Sequence, residues 1–254
     1  TIAAEIVEEL GHAPDVVVVP VGGGGLLGGM ATWMAAHSSS TRLVGVEPED
    51  AASMAAALAA GAPVDLETVS PFVDGAAVRR VGDLTHAAVD ATGTELTSVA
   101  EGAICVEMLA LYQTEGVIAE PAGALAVTGL SRLSLPADAD VVCLISGGNN
   151  DVLRYAEVME RSLVHRGLKH YFLVNFPQEP GQLRHFLHEI LGPTDDITLF
   201  EYLKRNNRET GAALVGLQLS RAEDLDGLLQ RMGESKISVQ YLKPGTPEYE
   251  FLVA

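Results

Sequence analysis

The hydrophobic and polar positions of the first fifty residues change period in a way that predicts the order of the elements. TIAAEIVEEL, at residues 1–10, places its apolar side chains on one face of a helix, and Gly11 follows where that helix would end. VVVVPV shows no alternation, which is typical of a strand buried on both faces. Four glycines, a helical stretch LLGGMATWMAAH and a second strand TRLVGVEPE come next. Strand, helix and strand in this order predict parallel pairing.

The pattern continues to residue 165 with further helices and one more strand. An alanine-rich helix is closed by Gly61, and Ser98 and Glu101 have the spacing of a capping box at the start of another helix. A third helix carries Pro121 in its first turn. DADVVCLISGGNND predicts a third buried strand, and DVLRYAEVMERSLVHRG a helix that follows it. We therefore expect an α/β unit with a parallel sheet.

The last ninety residues change pattern. Four strands are predicted, LKHYFLVNF, ITLFEYLKR, AALVGLQLS and ISVQYL, with helices LRHFLHEIL and AEDLDGLLQRM after the first and third. NNRETG predicts a hairpin loop that makes the second and third strands antiparallel neighbours. This βαββαβ order is that of a ferredoxin-like module.

The charge distribution supports a division into two domains and excludes some classes of binding partner. The 254 residues carry a net charge of −18 and are 48% hydrophobic, so nucleic acid and anionic membrane surfaces would be repelled. No apolar run is long enough to span a bilayer, and the two cysteines lack metal spacing and read as reduced thiols of a cytoplasmic protein. Residues 1–165 hold nearly all of the negative charge. We predict domains at 1–166 and 167–254.

The four glycines after the valine strand are the first candidate site. Glycines at a strand-to-helix turn let backbone N–H groups converge on a ligand at the positive end of the helix. Three interpretations stay open on this evidence. The turn could bind a dinucleotide through Gly23, Gly25 and Gly28 with Glu47 on the ribose, bind a phosphate monoester, or only pack the helix tightly on the sheet.

Two other stretches carry polar groups that could face the same ligand. Ser146 begins SGGNN directly after a predicted parallel strand, at the sheet edge where α/β proteins bind ligands. Glu120 stands immediately before the helix that contains Pro121. Taken singly, Ser146 fits a turn and Glu120 an exposed acid at a helix start.

In this order, GGGGLLGG, GVEPED, AEPAGALA and SGGNN resemble the fold type II pyridoxal-phosphate enzymes, whose sheet is like that of the tryptophan synthase β subunit. Among them the biosynthetic threonine dehydratases are the most similar, and the C-terminal module resembles their ACT-like regulatory domain. The resemblance implies pyridoxal 5'-phosphate as cofactor. It places the phosphate on Gly22, Gly23, Gly24, Gly25 and the amide of Leu26, the pyridine nitrogen on Ser146, and Glu120 in the cofactor site.

The same resemblance implies a reaction and its regulation. It implies conversion of L-threonine to 2-oxobutanoate and ammonia, the first step towards isoleucine, with isoleucine inhibiting and valine opposing it. The loop with Pro180, Gly181 and Gln182 would bind the effector at an interface of a homodimer or homotetramer. A serine dehydratase or racemase, a non-catalytic sensor of branched-chain amino acids, and an NAD-binding oxidoreductase stay as alternatives.

The lysine that such an enzyme needs to hold its cofactor as a Schiff base is absent from residues 1–168. In the family this lysine lies far upstream of the glycine loop, so we expect a C-terminal portion of a longer enzyme that is inactive alone. Some relatives bind a cation beside the acid that matches Glu47, but their second carboxylate is Ser53 here. We predict no metal, and interpret Glu47 as a strand-end acid that meets a helix N-terminus.

Overall fold

A computed structural model describes residues 2–203 and 210–253. The chain forms two compact units, Thr1–Ser162 and Leu163–Ala254. The first contains α1 (Ile2–Leu10), β1 (Val16–Pro20), α2 (Gly25–His37), β2 (Arg42–Pro48), α3 (Ser53–Ala60), α4 (Asp83–Thr92), β3 (Glu95–Val99), α5 (Glu101–Ala110), α6 (Pro121–Gly129), β4 (Val141–Cys143) and most of α7 (Tyr155–His165). Single 3-10 turns span Glu49–Ala51, Leu130–Arg132 and Val152–Arg154, and a π turn spans Leu111–Glu115.

The sheet of the first unit is parallel and has the order β3-β2-β1-β4. From β1 the chain moves outward through β2 to β3, whereas β4 is added on the other side of β1. The carboxyl ends of β1 and β4 therefore flank a topological switch point, the place where open α/β sheets bind their ligands. The predicted parallel sheet is confirmed.

The valine run is explained by burial on both faces of β1. Val16 and Val18 join a core with side chains of α5 and α6. Val17 and Val19 join a second core with side chains of α1, α2, α3 and α4. Each of these side chains is nearly or fully buried, which stabilises the fold by about 2 kcal/mol per valine.

Two predictions about the later strands are wrong. Ser98 does not cap a helix, because it lies in β3 opposite Glu47 of β2, and α5 begins at Glu101 without a side-chain cap. The Glu101 carboxylate instead pairs with Arg161 at 2.7 Å. The strand expected to be the third buried one is the fourth, and it is half-buried because it lies at the edge of the sheet.

The second unit confirms the ferredoxin-like order. It contains β5 (Lys169–Pro177), α8 (Gln182–His185), a π turn (Phe186–Ile190), β6 (Asp196–Leu203), β7 (Thr210–Gln218), α9 (Asp224–Glu234), β8 (Ser238–Leu242) and an unpredicted α10 (Pro247–Leu252). The sheet is antiparallel with the order β6-β7-β5-β8. Most of the predicted hairpin loop NNRETG lies outside the described residues. No described helix has the length and apolar character needed to cross a lipid bilayer.

Candidate functional site

The glycine loop joins β1 to α2 and leaves the start of that helix open. Gly24 is the N-cap residue, with φ of 81° in the left-handed region that favours glycine. No side chain caps α2, and its first turn contains no acidic residue. The N–H groups at the start of α2 therefore lack a side-chain acceptor, and the positive end of the helix dipole adds to them. Such an open helix start suits an anion, and residues Gly22 to Leu26 are hereafter called the phosphate cradle after the ligand that the sequence predicts for them.

Neighbouring residues fix the shape of the phosphate cradle. Thr85 of α4 donates a hydrogen bond from Oγ1 to the carbonyl oxygen of Gly23 at 2.8 Å. The side chain of Met54 lies under Gly24 so closely that a Cβ on this glycine would collide with it. By contrast, Cβ atoms on Gly23 and Gly25 would meet nothing within 4 Å, so this side of the loop is open.

Ser146 lies at the neighbouring strand end. The N–H of Leu144 donates to the carbonyl oxygen of Val18 at 3.0 Å, so the chain after β4 starts beside the end of β1. Ser146 itself is exposed, and the hydrogen bonds among residues 2–203 and 210–253 include none to its hydroxyl. The hydroxyl is free to donate to a ligand in the crevice or to accept from it.

Glu120 borders the same crevice as the N-cap residue of α6. Its backbone N–H donates to the carbonyl oxygen of Gly147 at 3.1 Å, and its carboxylate lies against the Cα of Gly147 with no room for a side chain there. Asn150 follows with both amide atoms buried and without a protein partner in the described part of the chain. The bond between Glu120 and Gly147 thus places the start of α6 beside the loop that contains Ser146, at the carboxyl edge of the sheet.

Glu47 has a structural position that sequence reasoning anticipated. It is 1% exposed, and its two carboxylate oxygens accept hydrogen bonds from the N–H groups of Met54 at 2.7 Å and Ala55 at 2.9 Å. Burial raises the pKa of this carboxyl to about 7, although these two bonds act in the opposite direction. The interpretation as an acid at a helix N-terminus is confirmed. Both oxygens bond to α3 and the side chain is buried, so Glu47 does not present the accessible carboxylate that the dinucleotide hypothesis needs for the ribose.

The chemistry of the site suits pyridoxal phosphate. Backbone N–H groups and a helix dipole can hold a phosphate without a cationic side chain, and a neutral hydroxyl can meet the pyridine nitrogen. No three histidine, cysteine or acidic side chains of the described residues are grouped so that they could hold a metal ion.

In the second unit, the loop predicted to bind an effector borders two cavities of about 810 and 410 Å³. Pro180, Gly181 and Gln182 line both of them. Gly181 is the N-cap residue of α8, with φ of 95°, and the helix begins one residue later. The larger cavity also contains Arg231 and Lys236, and the smaller one has the aromatic wall Phe176, Phe200 and Tyr202.

Known proteins share both halves of this architecture. Residues 1–147 match the family described as pyridoxal-phosphate dependent enzyme, and residues 160–252 match the C-terminal regulatory domain of threonine dehydratase. The biosynthetic L-threonine dehydratase IlvA of Corynebacterium glutamicum is 65% identical over 257 residues, which cover 99% of this chain and 59% of that protein. Its counterpart in Mycobacterium leprae is 62% identical over 255 residues, covering 100% of this chain and 60% of the relative.

Solved structures agree with the sequence relatives. The processed form of threonine deaminase isoform 2 from Solanum lycopersicum has a TM-score of 0.59 and 33% identity, and the match covers 64% of this chain and 48% of that one. The chain spans about three fifths of the length of the curated relatives it matches, 59% for the first of them. It therefore belongs to the family of pyridoxal-phosphate dependent enzymes and carries, after its cofactor-binding unit, the regulatory domain of threonine dehydratases.

Proposed function

We propose that this chain is the cofactor-binding and regulatory part of a biosynthetic threonine dehydratase. The whole enzyme would convert L-threonine to 2-oxobutanoate and ammonia, and isoleucine and valine would act on its second unit. The observation that carries the proposal is the uncapped N-terminus of α2 at the switch point of the sheet, beside the loop with Ser146. A serine-specific relative remains the second candidate, because serine racemase from maize shares the fold at a TM-score of 0.55 and 28% identity.

The residues of this chain would bind and orient the cofactor. Pyridoxal phosphate, when bound, supplies an electron-accepting ring that stabilises negative charge at the substrate carbon that loses its proton. Backbone N–H groups of the phosphate cradle would donate to its phosphate. The Ser146 hydroxyl would meet the ring nitrogen as a neutral partner, which favours the unprotonated ring more than a carboxylate would.

The amine needed for proton removal would come from another part of the enzyme. Residues 1–168 contain no lysine, and arginine does not replace lysine because it stays protonated. We therefore propose that the chain alone binds the cofactor through its phosphate but does not deaminate threonine. The lysine would be contributed by the N-terminal portion of the enzyme.

A ligand comparison tests this division of labour. Adding pyridoxal phosphate to the full chain should shift the backbone amide NMR signals of Gly22 to Leu26, because these N–H groups would donate to the phosphate. Pyridoxal without phosphate is the matched control. It should need at least about a tenfold higher concentration to shift these signals, since it lacks the charge-assisted bonds. Equal shifts with both ligands, or 2-oxobutanoate production from threonine by this chain alone, would contradict the proposal.

The second unit would sense a branched-chain amino acid. The larger cavity places the cations Arg231 and Lys236 near the acids Glu179, Glu189 and Glu234, so both charges of an amino acid find a partner of opposite sign. We also propose that these modules pair within a homo-oligomer, because β6 and β8 are the outer strands of the described sheet and outer strands expose unpaired backbone groups.

Gly181→Leu tests the effector site. Its side chain would project from the loop that borders both cavities, so calorimetric binding of isoleucine should weaken by about tenfold or more. Gly245→Leu is the matched control, because Gly245 also has a positive φ, of 78°, and open space at its Cβ, but lines neither cavity. If both variants bind isoleucine equally, or the unchanged chain binds none, the sensor assignment is wrong.

A further inference from the structure

A short irregular segment, residues 72–76, lies between the two halves of the cofactor site and is hereafter called the strap. A Cβ on Gly22 of the phosphate cradle would lie 3.0 Å from Cα of Ala76 and 3.1 Å from the carbonyl oxygen of Gly75. On its other side, a Cβ on Gly75 would lie 3.3 Å from Oε1 of Glu120. The strap therefore sets the spacing between the phosphate cradle and the start of α6.

Arg154 binds the strap through its guanidinium group. Its Nη2 donates to the carbonyl oxygen of Phe72 at 2.6 Å, and its Nη1 donates to Oδ2 of Asp74 at 3.3 Å. The guanidinium carbon also lies 5.3 Å from the centre of the Phe72 ring. One planar side chain thus fixes a backbone carbonyl, a carboxylate and a ring of the same segment, a combination that suits arginine and not lysine.

Arg161 strengthens this attachment about two helical turns further on. Its guanidinium carbon lies 4.2 Å from the centre of the Phe72 ring, and its Nη1 bonds to the buried carboxylate of Glu101. Phe72 is 4% exposed and packs in the core of the first unit. The strap is consequently anchored to the core and to the segment that starts α7.

We propose that Arg154 is a positioning residue for the phosphate cradle and acts through the strap. Within residues 2–203 and 210–253 its side chain contacts Phe72 and Asp74, and neither the cradle nor Ser146. The proposal rests on the proposed function only for the identity of the ligand. Loss of its bond to the Phe72 carbonyl would let Gly75 and Ala76 move, and Gly22 is packed against both. Because α7 begins directly after Arg154 and runs past Ser162 to His165, the chain that leads to the second unit starts at this contact.

Arg154→Gln in the full chain tests the proposal, with Arg132→Gln as the control. Arg132 is also an arginine on a 3-10 turn of the first unit, but its partner Glu49, at 2.9 Å, belongs neither to the strap nor to the cradle. Without ligand, hydrogen exchange of the Ala76 amide, which donates to the Val73 carbonyl at 2.8 Å, should be about tenfold faster in Arg154→Gln. The affinity for pyridoxal phosphate should fall by about tenfold. Arg132→Gln should change neither.

Two more variants separate positioning from general stability. Arg154→Lys keeps the charge but not the forked geometry, so its affinity should lie between those of the unchanged chain and Arg154→Gln; it replaces Arg154→Gln if that variant does not fold. Asp74→Asn removes the charge of an exposed ion pair but keeps an Oδ1 that can accept from the N–H of Gly75, so it should lower the affinity by less than about threefold.

The proposal is overturned if Ala76 exchange and the Gly22 amide signal are the same in the Arg154 variants as in Arg132→Gln. Failure of the proposed function would look different: pyridoxal phosphate would leave the Gly22 to Leu26 signals of the unchanged chain in place. In that case the ligand-free exchange at Ala76 and the Gly22 signal would still decide whether Arg154 positions the cradle.

Discussion

Gly24→Ala should lower the affinity for pyridoxal phosphate by about a hundredfold. A residue with a Cβ pays roughly 1–2 kcal/mol to keep the positive φ of this position, and the new methyl group would collide with Met54. The loop would relieve this strain by turning the N–H groups of Gly25 and Leu26 away from the phosphate. Two charge-assisted hydrogen bonds are worth about 3 kcal/mol or more, hence the factor of a hundred. The affinity is measured by titrating the full chain with pyridoxal phosphate while amide NMR signals are monitored.

Gly29→Ala is the matched control for this change. Gly29 lies inside the same helix, is exposed, and has open space where its Cβ would stand. Alanine there should leave the affinity unchanged and stabilise the first unit by about 0.5–1 kcal/mol. Trp33, the single tryptophan, lies in α2 and reports unfolding of this unit by fluorescence. If Gly24→Ala and Gly29→Ala bind pyridoxal phosphate with equal affinity, the glycine loop does not bind the phosphate.

The second large effect concerns pH. The pKa of Glu47 is about 7 in the folded chain, raised by burial from an ordinary value of 4.5. The folded chain therefore holds this proton over a range in which the unfolded chain has lost it. The free energy of unfolding of the first unit should fall as pH rises from 4.5 to 7, by about 3 kcal/mol from this group, and change no further above that.

Glu47→Gln isolates the contribution of this carboxyl, because glutamine does not titrate. Urea titrations followed by Trp33 fluorescence measure the free energy of unfolding of both proteins. Relative to Glu47→Gln, the value for the unchanged chain should fall by about 3 kcal/mol across that range. Glu49→Gln, a control on an exposed acid of the neighbouring turn, removes one surface ion pair and should change the free energy of unfolding by less than about 1 kcal/mol. A parallel pair of profiles for the unchanged chain and Glu47→Gln would show that Glu47 is ionised throughout.

The sequence was most informative where a local pattern and the tertiary structure demand the same thing. Valines with no polar face require cover on both sides, and β1 has it. Glu47 could be placed correctly because a strand-end acid and a helix start are adjacent in the chain. Ser98 was misplaced because its capping spacing is a local signal, whereas pairing of β3 with β2 is decided by residues fifty positions away. The half-buried state of β4 follows from its place at the sheet edge, which composition does not encode.

The strap and its arginine could not be predicted for a related reason. Residues 72–76 have no period, and the contact between Phe72 and Arg154 joins segments about eighty residues apart. An arginine in an acidic half of the chain reads as a solvated charge unless its partners are known. Only the folded chain brings its guanidinium to a carbonyl, a carboxylate and a ring at once.

The pairing of β1 with both β2 and β4 has a consequence for how the molecule assembles. The glycine loop and its flanking strands come from one contiguous stretch, so they can nucleate early through short loops. β4, which precedes Ser146, pairs with β1 across more than a hundred residues of sequence. This pairing forms only after most of the first unit has been synthesised, and contacts so far apart in sequence form slowly. In a nascent chain the glycine loop would thus be in place well before Ser146 reaches the neighbouring strand end.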